Sequence, residues 1–185
     1  MSLSESRARI LEVARGELHV QCDPGKRFDS GGRVREYIES VEHEDEVKEI
    51  GIHFQEGHNW CAGFASWVMK EAGYPLIHPK GIGHYGCHRL IEQAANDGKW
   101  YDSRYDPEPG DMIMICWDKL DLNLGPDDPL EYKVAMKHVR HVGFVETFDG
   151  VNEIRTIEGN WKGGVNRATR KLDSGRVLGF LKWVD

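Results

Sequence analysis

One cysteine of the chain lies where a helix is predicted to begin, and this placement favours nucleophilic chemistry. Residues 60–67 are Trp-Cys-Ala-Gly-Phe-Ala-Ser-Trp, and Cys61 opens an apolar face with i, i+3, i+4, i+7 spacing that extends to Ala72. Gly73 and Pro75 predict the end of this helix. A helix N-terminus carries partial positive charge, which favours a thiolate over a thiol. This segment alone is equally compatible with a buried structural cysteine.

Two downstream segments supply the other groups that a thiol hydrolase needs. A strand-like run, 141–147, begins with His141, and residues 156–161 place Glu158 and Asn160 two positions apart. Because alternate residues of an extended chain face the same side, both polar side chains can point toward one site. A helix-borne thiol, a strand-borne imidazole and a polar group on a neighbouring strand are the components of cysteine hydrolases.

Four segments in order along the chain carry a resemblance to a known family. They are Trp60-Cys61-Ala62 with Phe64 and Trp67, the turn Pro109-Gly110-Asp111, His141-Val142-Gly143, and Glu158-Gly159-Asn160-Trp161. Together they resemble the CHAP amidase/peptidase family, whose members are NlpC/P60-like, papain-like cysteine hydrolases of peptidoglycan. The resemblance covers roughly residues 5–184, and residues 33–37 resemble the N-terminal helix of a CHAP subgroup.

The resemblance implies a catalytic role for four residues. Cys61 would attack a carbonyl carbon and form a thioester, while His141 would take the thiol proton and later protonate the leaving amine. Glu158 would accept a hydrogen bond from the imidazole and fix its tautomer. Asn160 would assist, either by orienting the histidine or by donating toward the site, although a turn asparagine that caps backbone groups is an alternative. His141 is preferred over His138 because Gly143 leaves room beside it.

Two tryptophans flank the proposed catalytic residues in the sequence. Trp60 precedes the cysteine and Trp161 follows the Glu-Gly-Asn segment. We expect both to line the substrate cleft, and buried packing is the alternative role for each.

The catalytic residues must be positioned by helices that come first and strands that follow. Periodicity predicts helices at 4–18, 33–41, 61–72 and 88–96, and strands at 112–117, 140–147, 153–158, 165–171 and 177–184. The segment 118–138 is predicted to be a long loop or partial helix. This order predicts an α+β fold in which N-terminal helices pack on an antiparallel sheet, as in papain-like (NlpC/P60-type) hydrolases.

Composition and charge restrict the possible partners. The chain has 185 residues, 39% hydrophobic and 30% charged, which predicts a single catalytic domain spanning residues 1–185. No run approaches 18 apolar residues, and the N-terminus shows no signal peptide. The net charge of −7 argues against nucleic acid and against bulk attraction to membranes or anionic wall polymers.

No metal or other cofactor is expected. The four cysteines are predicted to be reduced, since no signal peptide directs the chain to an oxidising compartment. A zinc site is disfavoured because its candidate ligands lack the usual separation of two to four residues; they are Cys87, His88, Cys116 and His138. The acidic segment 42–46 also lacks the ligand order of an EF-hand.

The leading functional prediction is a peptidoglycan hydrolase that cuts an amide bond of the stem peptides. It would be an N-acetylmuramoyl-L-alanine amidase or a stem or cross-bridge endopeptidase. It would reach the wall through a holin pore or a secretion machine, and an injected effector would imply a cognate immunity protein. The alternatives are a cytosolic thiol peptidase acting on glutathionyl-type or isopeptide substrates, and a non-catalytic wall-binding module.

Overall fold

A computed structural model describes residues 3–22, 32–42, 59–120 and 128–185. The α-helices are α1 Glu5–Gly16, α2 Arg33–Glu39, α3 Cys61–Glu71, α4 Cys87–Asn96 and α5 Tyr132–His138. The strands are β1 Ile77–His78, β2 Gly81–Ile82, β3 Trp100–Asp102, β4 Met112–Ile115, β5 His141–Phe148, β6 Glu153–Trp161, β7 Gly164–Lys171 and β8 Val177–Leu181. The predicted α+β class is confirmed. Within the described ranges, no helix has the length and apolarity that crossing a membrane requires.

The main sheet has six antiparallel strands in the order β3-β8-β4-β5-β6-β7. Strands β5 and β6 form a hairpin, in which Asp149 Oδ1 accepts backbone N–H groups at the turn and Gly150 has a φ of 78°. All four side chains of β4 are buried because both faces of the sheet are covered there. The catalytic candidates His141 and Glu158 lie on β5 and β6, which are interior strands with a paired neighbour on each side.

Helix α3 is the central helix of the fold. Every residue from Cys61 to Met69 is buried, because α2 covers one side of the helix and strands β5 and β6 cover the other. Phe64 meets Phe144 of β5 edge to face, with ring centroids 6.4 Å apart. A Cβ at Gly159 would lie 2.6 Å from the Cβ of Phe64, so only glycine allows the helix to approach β6 this closely. The amphipathic pattern predicted the helix, and the covering by α2 makes it buried on all sides.

The segment between β4 and β5 is partly helical, as the sequence allowed. Helix α5 occupies residues 132–138 of this segment and packs against α4, with Ala135 as its buried residue. Residues 121–127 lie outside the described ranges, as does most of the acidic segment 42–58.

A buried arginine ties α1 to the Pro-Gly-Asp turn. Arg7 is 3% exposed and donates to Asp111 Oδ1 and to the carbonyl of Pro109, both at 2.9 Å. The second terminal nitrogen of Arg7, Nη2, donates to Glu108 Oε2 at 2.9 Å and to the Val184 carbonyl at 3.2 Å. The family-like turn therefore has a structural role here, since it supplies the acceptors that a buried guanidinium requires.

We expect Arg7→Ala to lower the free energy of unfolding by about 3–5 kcal/mol, because it leaves the Asp111 carboxylate buried without its cation. The matched control is Arg9→Ala, two residues along the same helix, where the exposed Arg9–Glu12 pair should contribute less than about 0.5 kcal/mol. Urea unfolding followed by circular dichroism measures both values. Equal losses in the two variants would contradict the structural role of Arg7.

Candidate active site

The first residue of α3, Cys61, lies against the first residue of β5, His141. Both are almost completely buried, with 3% and 1% of their surfaces exposed. The thiol and the imidazole are close enough for each to shift the pKa of the other. Helix packing on β5 and β6 thus brings together two groups that are 80 positions apart in the sequence.

The surroundings of Cys61 favour its thiolate form. A hydrogen bond from Cys87 lowers the pKa of Cys61 well below its ordinary value, although burial acts in the opposite direction. Hydrogen bonding and charge from His141, together with the backbone N–H of Val142, lower this pKa further. The N-terminus of α3 adds positive potential at the same point.

The surroundings of His141 favour its protonated form. Burial lowers the pKa of the imidazole, but the Cys61 thiolate and the Glu158 carboxylate outweigh it and raise the pKa to about 9. The lowered pKa of Cys61 and the raised pKa of His141 together favour a thiolate–imidazolium pair. An ion pair of this kind raises the reactivity of a cysteine thiol.

The third member of the arrangement is a fully buried carboxylate. Glu158 is 0% exposed, and its Oε2 lies 2.9 Å from His141 Nε2. Because Nε2 is occupied by the carboxylate, Nδ1 is the ring nitrogen that remains for Cys61.

Two further residues hold the carboxylate in place. Arg170 donates to Oε1 at 2.8 Å and to Oε2 at 2.5 Å, and the Thr156 hydroxyl donates to Oε1 at 2.6 Å. Burial raises the pKa of Glu158, but hydrogen bonds from His141 and Arg170 lower it to about 2. The carboxylate is therefore ionised throughout the neutral range and stabilises the imidazolium.

Gly143 provides the space that the carboxylate occupies. A Cβ at this position would lie 2.5 Å from Glu158 Cγ and 3.1 Å from the Ile157 carbonyl oxygen. The glycine of the His-Val-Gly segment is therefore required for the side chain that orients the histidine.

Two tryptophan rings cover the imidazole. Trp117 lies just after β4, whose last residue, Ile115, pairs with His141. The centroid of the Trp117 ring is 5.0 Å from that of the imidazole. Trp161 stacks on Trp117 at 6.1 Å and lies 6.2 Å from the imidazole. With Trp117 44% exposed, the pair forms an aromatic surface at the site.

The structure assigns Trp60 to the core. It is 0% exposed and packs against Tyr37 and Phe64, with ring centroids 5.7 Å and 6.5 Å away. A completely buried ring offers no surface to a substrate, so the predicted cleft-lining role of Trp60 is replaced by the packing alternative.

Asn160 does not share the orientation of Glu158. It has a φ of 59°, and the pairing of β6 with β7 shifts register between Glu158 and Trp161. This bulge ends the alternation on which the same-face expectation depended. The side-chain amide of Asn160 donates to Asn59 at 3.1 Å, next to the start of α3, so its contact positions a loop rather than the imidazole.

Four residues of the site were not assigned to it from sequence. Thr156 precedes Glu158 by two positions on a strand, and this same-face spacing is the signal that could have identified it. Arg170, Trp117 and Cys87 reach the site from β7, the end of β4 and the start of α4, and no local pattern indicates these approaches. His138, the rejected alternative base, ends α5.

Among the described residues, no group of three or more His, Cys, Asp or Glu side chains is arranged to hold a metal ion.

A family model described as the CHAP domain matches residues 53–160, more than half of the chain, in a range that includes Cys61, His141 and Glu158. No curated protein and no solved structure matches the chain.

We expect the alkylation rate of Cys61 by iodoacetamide to stay nearly constant from its lowered pKa up to about pH 9. Below the pKa of Cys61 the thiolate is protonated, and above about pH 9 His141 loses its proton and the ion pair is lost. Peptide mass spectrometry over a pH series measures the rate. The control is the same cysteine in urea-unfolded protein, whose rate should rise about tenfold per pH unit up to an ordinary thiol pKa of about 8.5. Parallel profiles in folded and unfolded protein would contradict the ion pair.

Proposed function

The chain belongs to the CHAP domain family, and from that premise we propose that it hydrolyses an amide bond of peptidoglycan through Cys61. Membership supports peptidoglycan-related amidase or peptidase activity in general terms. Two observations support the specific proposal: the Cys61 thiol and the His141 imidazole shift each other's pKa, and the imidazole lies 2.9 Å from the buried Glu158 carboxylate.

The proposed reaction follows from the charges at these three residues. The Cys61 thiolate attacks the amide carbonyl carbon, and the His141 imidazolium donates its proton to the departing amine. This leaves a thioester on Cys61 and a neutral imidazole. His141 then takes a proton from water, whose oxygen attacks the thioester and releases the carboxylic acid. Glu158 keeps the ring oriented and stabilises its cation each time it forms.

The start of α3 is suited to stabilise the negative charge on the carbonyl oxygen. The first backbone N–H groups of a helix have no intrahelical acceptor, and they carry the positive end of the helix dipole. We assign the oxyanion interaction to the N–H of Cys61, because it is fixed beside the attacking sulfur.

A basic pocket next to the aromatic surface supports a substrate that carries carboxylates. The pocket lies at edge strand β7, has a volume of about 420 Å³ and is lined by Arg155, Trp161, Lys162, Arg167, Ala168 and Thr169. Arg167 forms an ion pair with Glu146 at 2.7 Å, whereas the side chain of Lys162 is exposed at the turn after Trp161. In a chain with net charge −7, this local positive charge suits the free carboxylates of peptidoglycan stem peptides.

Digestion of purified cell wall tests the proposal directly. We expect the wild-type protein to release muropeptides with new amino and carboxyl termini, which mass spectrometry identifies. A new terminus at the lactyl–alanine bond would define an amidase, and one within the stem or cross-bridge would define an endopeptidase. Cys61→Ala and His141→Ala should each lower the rate by at least about 10²–10⁴, because each removes a group that acts in the transition state.

His138→Ala is the matched control, since it removes a neighbouring imidazole and should retain nearly the parental rate. Circular dichroism of all variants separates loss of chemistry from loss of fold. Wall cleavage by Cys61→Ala, or a larger loss in His138→Ala than in His141→Ala, would refute the proposed mechanism. Release of small peptides or isopeptides by wild-type protein without wall digestion would favour a cytosolic thiol peptidase instead.

The basic pocket makes a separate prediction about substrate binding. We expect Lys162→Glu to raise KM about 3–10-fold for muropeptides with free carboxylates, because one charge reversal near a surface is worth about 1 kcal/mol. The effect should shrink as salt is added, while kcat stays close to parental. Lys171→Glu, an equal charge change at the other end of β7, is the control. Equal changes in KM for the two variants would show that the pocket takes no part in substrate binding.

A further inference from the structure

A second thiol lies beside the proposed nucleophile. The Sγ atoms of Cys61 and Cys87 are 3.6 Å apart, although 25 residues separate them in the sequence. Each cysteine is the first residue of its helix, so α3 and α4 direct their N-termini toward the same pair of sulfur atoms. This convergence gives both thiols a positive helix end, which favours thiolate chemistry.

The pKa values of the two thiols shift in opposite directions. Interactions with His141 and with the backbone N–H of Val142 lower the pKa of Cys61, which favours its thiolate. The hydrogen bond to Cys61, followed by burial and the charge of Cys61, raises the pKa of Cys87 well above its ordinary value. These opposite shifts favour a protonated Cys87 that donates its S–H to a Cys61 thiolate. A reactive thiolate beside a protonated thiol is the arrangement found where cysteine oxidation ends in a disulfide.

We propose that Cys61 and Cys87 are a reversible oxidation site, in which hydrogen peroxide converts the pair into an intramolecular disulfide and a dithiol reductant restores it. The consequence for activity rests on the proposed function, because the disulfide removes the sulfur that would attack the amide. The hydrolase would then be inactive while oxidised and active again after reduction.

The reaction balances in two steps. The Cys61 thiolate attacks one oxygen of hydrogen peroxide, forming an S–O bond and breaking the O–O bond, and the departing hydroxide takes a proton and becomes water. Cys61 is then a sulfenic acid. Cys87 loses its proton and attacks this sulfur, so that the S–S bond forms and the S–O bond breaks, and a second water leaves. Two thiols are oxidised and one peroxide is reduced to two waters.

The geometry favours the second step. A disulfide has an S–S distance of about 2.05 Å, so the two sulfurs need to approach by only about 1.6 Å from their present 3.6 Å. Formation of the sulfenic acid also removes the negative charge that kept Cys87 protonated, so the resolving thiol ionises more readily once it is needed. Cys116 has a different environment, since its thiol donates to the Asp118 carbonyl at 2.9 Å and burial raises its pKa.

Mass spectrometry of the peroxide-treated protein tests the proposal. The wild-type protein is exposed to hydrogen peroxide, alkylated with iodoacetamide and digested with trypsin without reduction. We expect a disulfide that links peptides 49–70 and 81–89, which contain Cys61 and Cys87, and we expect dithiothreitol to abolish it. Cys87→Ser should lack this link and should accumulate sulfinic acid at Cys61, which dithiothreitol does not reverse. Cys116→Ser, the matched control, should form the link as wild type does.

The proposal is overturned if wild-type Cys61 reaches the sulfinic acid while Cys87 stays alkylatable, or if Cys61 pairs with Cys22 or Cys116. The mass measurement uses no wall substrate, so its result is independent of the proposed function. Wall digestion is then measured before peroxide, after peroxide and after dithiothreitol, to follow the effect of oxidation on hydrolytic activity. We expect loss and recovery of at least about 80% of the activity in wild type, and loss without recovery in Cys87→Ser. Absence of digestion by the untreated protein would count against the proposed function only.

Discussion

The candidate site depends on one buried carboxylate. Glu158 has no exposed surface, and an isolated charge in such a position would be too costly to retain. It remains ionised because Arg170, Thr156 and His141 all donate to its two oxygens. The hydrogen bond between Glu158 and His141 fixes the imidazole, contributes to its raised pKa and leaves its second nitrogen for Cys61. The orientation and charge of His141 therefore depend on how this carboxylate is held.

Close approach of backbones makes that pairing possible, and two glycines permit it. Gly143 leaves the volume that the Glu158 side chain fills, and Gly159 on the opposite face lets Phe64 press α3 against β6. A methyl group at Gly143 would lie 2.5 Å from Glu158 Cγ, and one at Gly159 would lie 2.6 Å from Phe64 Cβ, so the neighbouring side chain would have to shift in either case. The glycines of the His-Val-Gly and Glu-Gly-Asn segments thus serve the site through sterics rather than through chemistry of their own.

The remaining elements support the site from a distance. Helix α2 buries the side of α3 that faces away from the sheet, and Trp60 belongs to this packing. Arg7 anchors α1 to the turn before β4, and β4 in turn pairs with β5 along the strand that begins with His141. Each buried charge of this framework has a partner of opposite charge, which allows charged groups to hold elements together without exposure to water.

Local patterns in the sequence determined the helix that begins at Cys61, the strands that follow it, the α+β class and the nomination of His141 and Glu158, because amphipathic periodicity and motif spacing are properties of short segments. These local patterns failed at Asn160, because a bulge interrupts the strand alternation there. They also failed at Trp60, because its burial depends on packing against α2, which a short segment does not reveal. Arg170, Trp117 and Cys87 come from three separate elements, and only the tertiary structure decided that they meet at the site. Contacts between residues far apart in sequence depend on helix and strand packing, for which no short segment carries a signal.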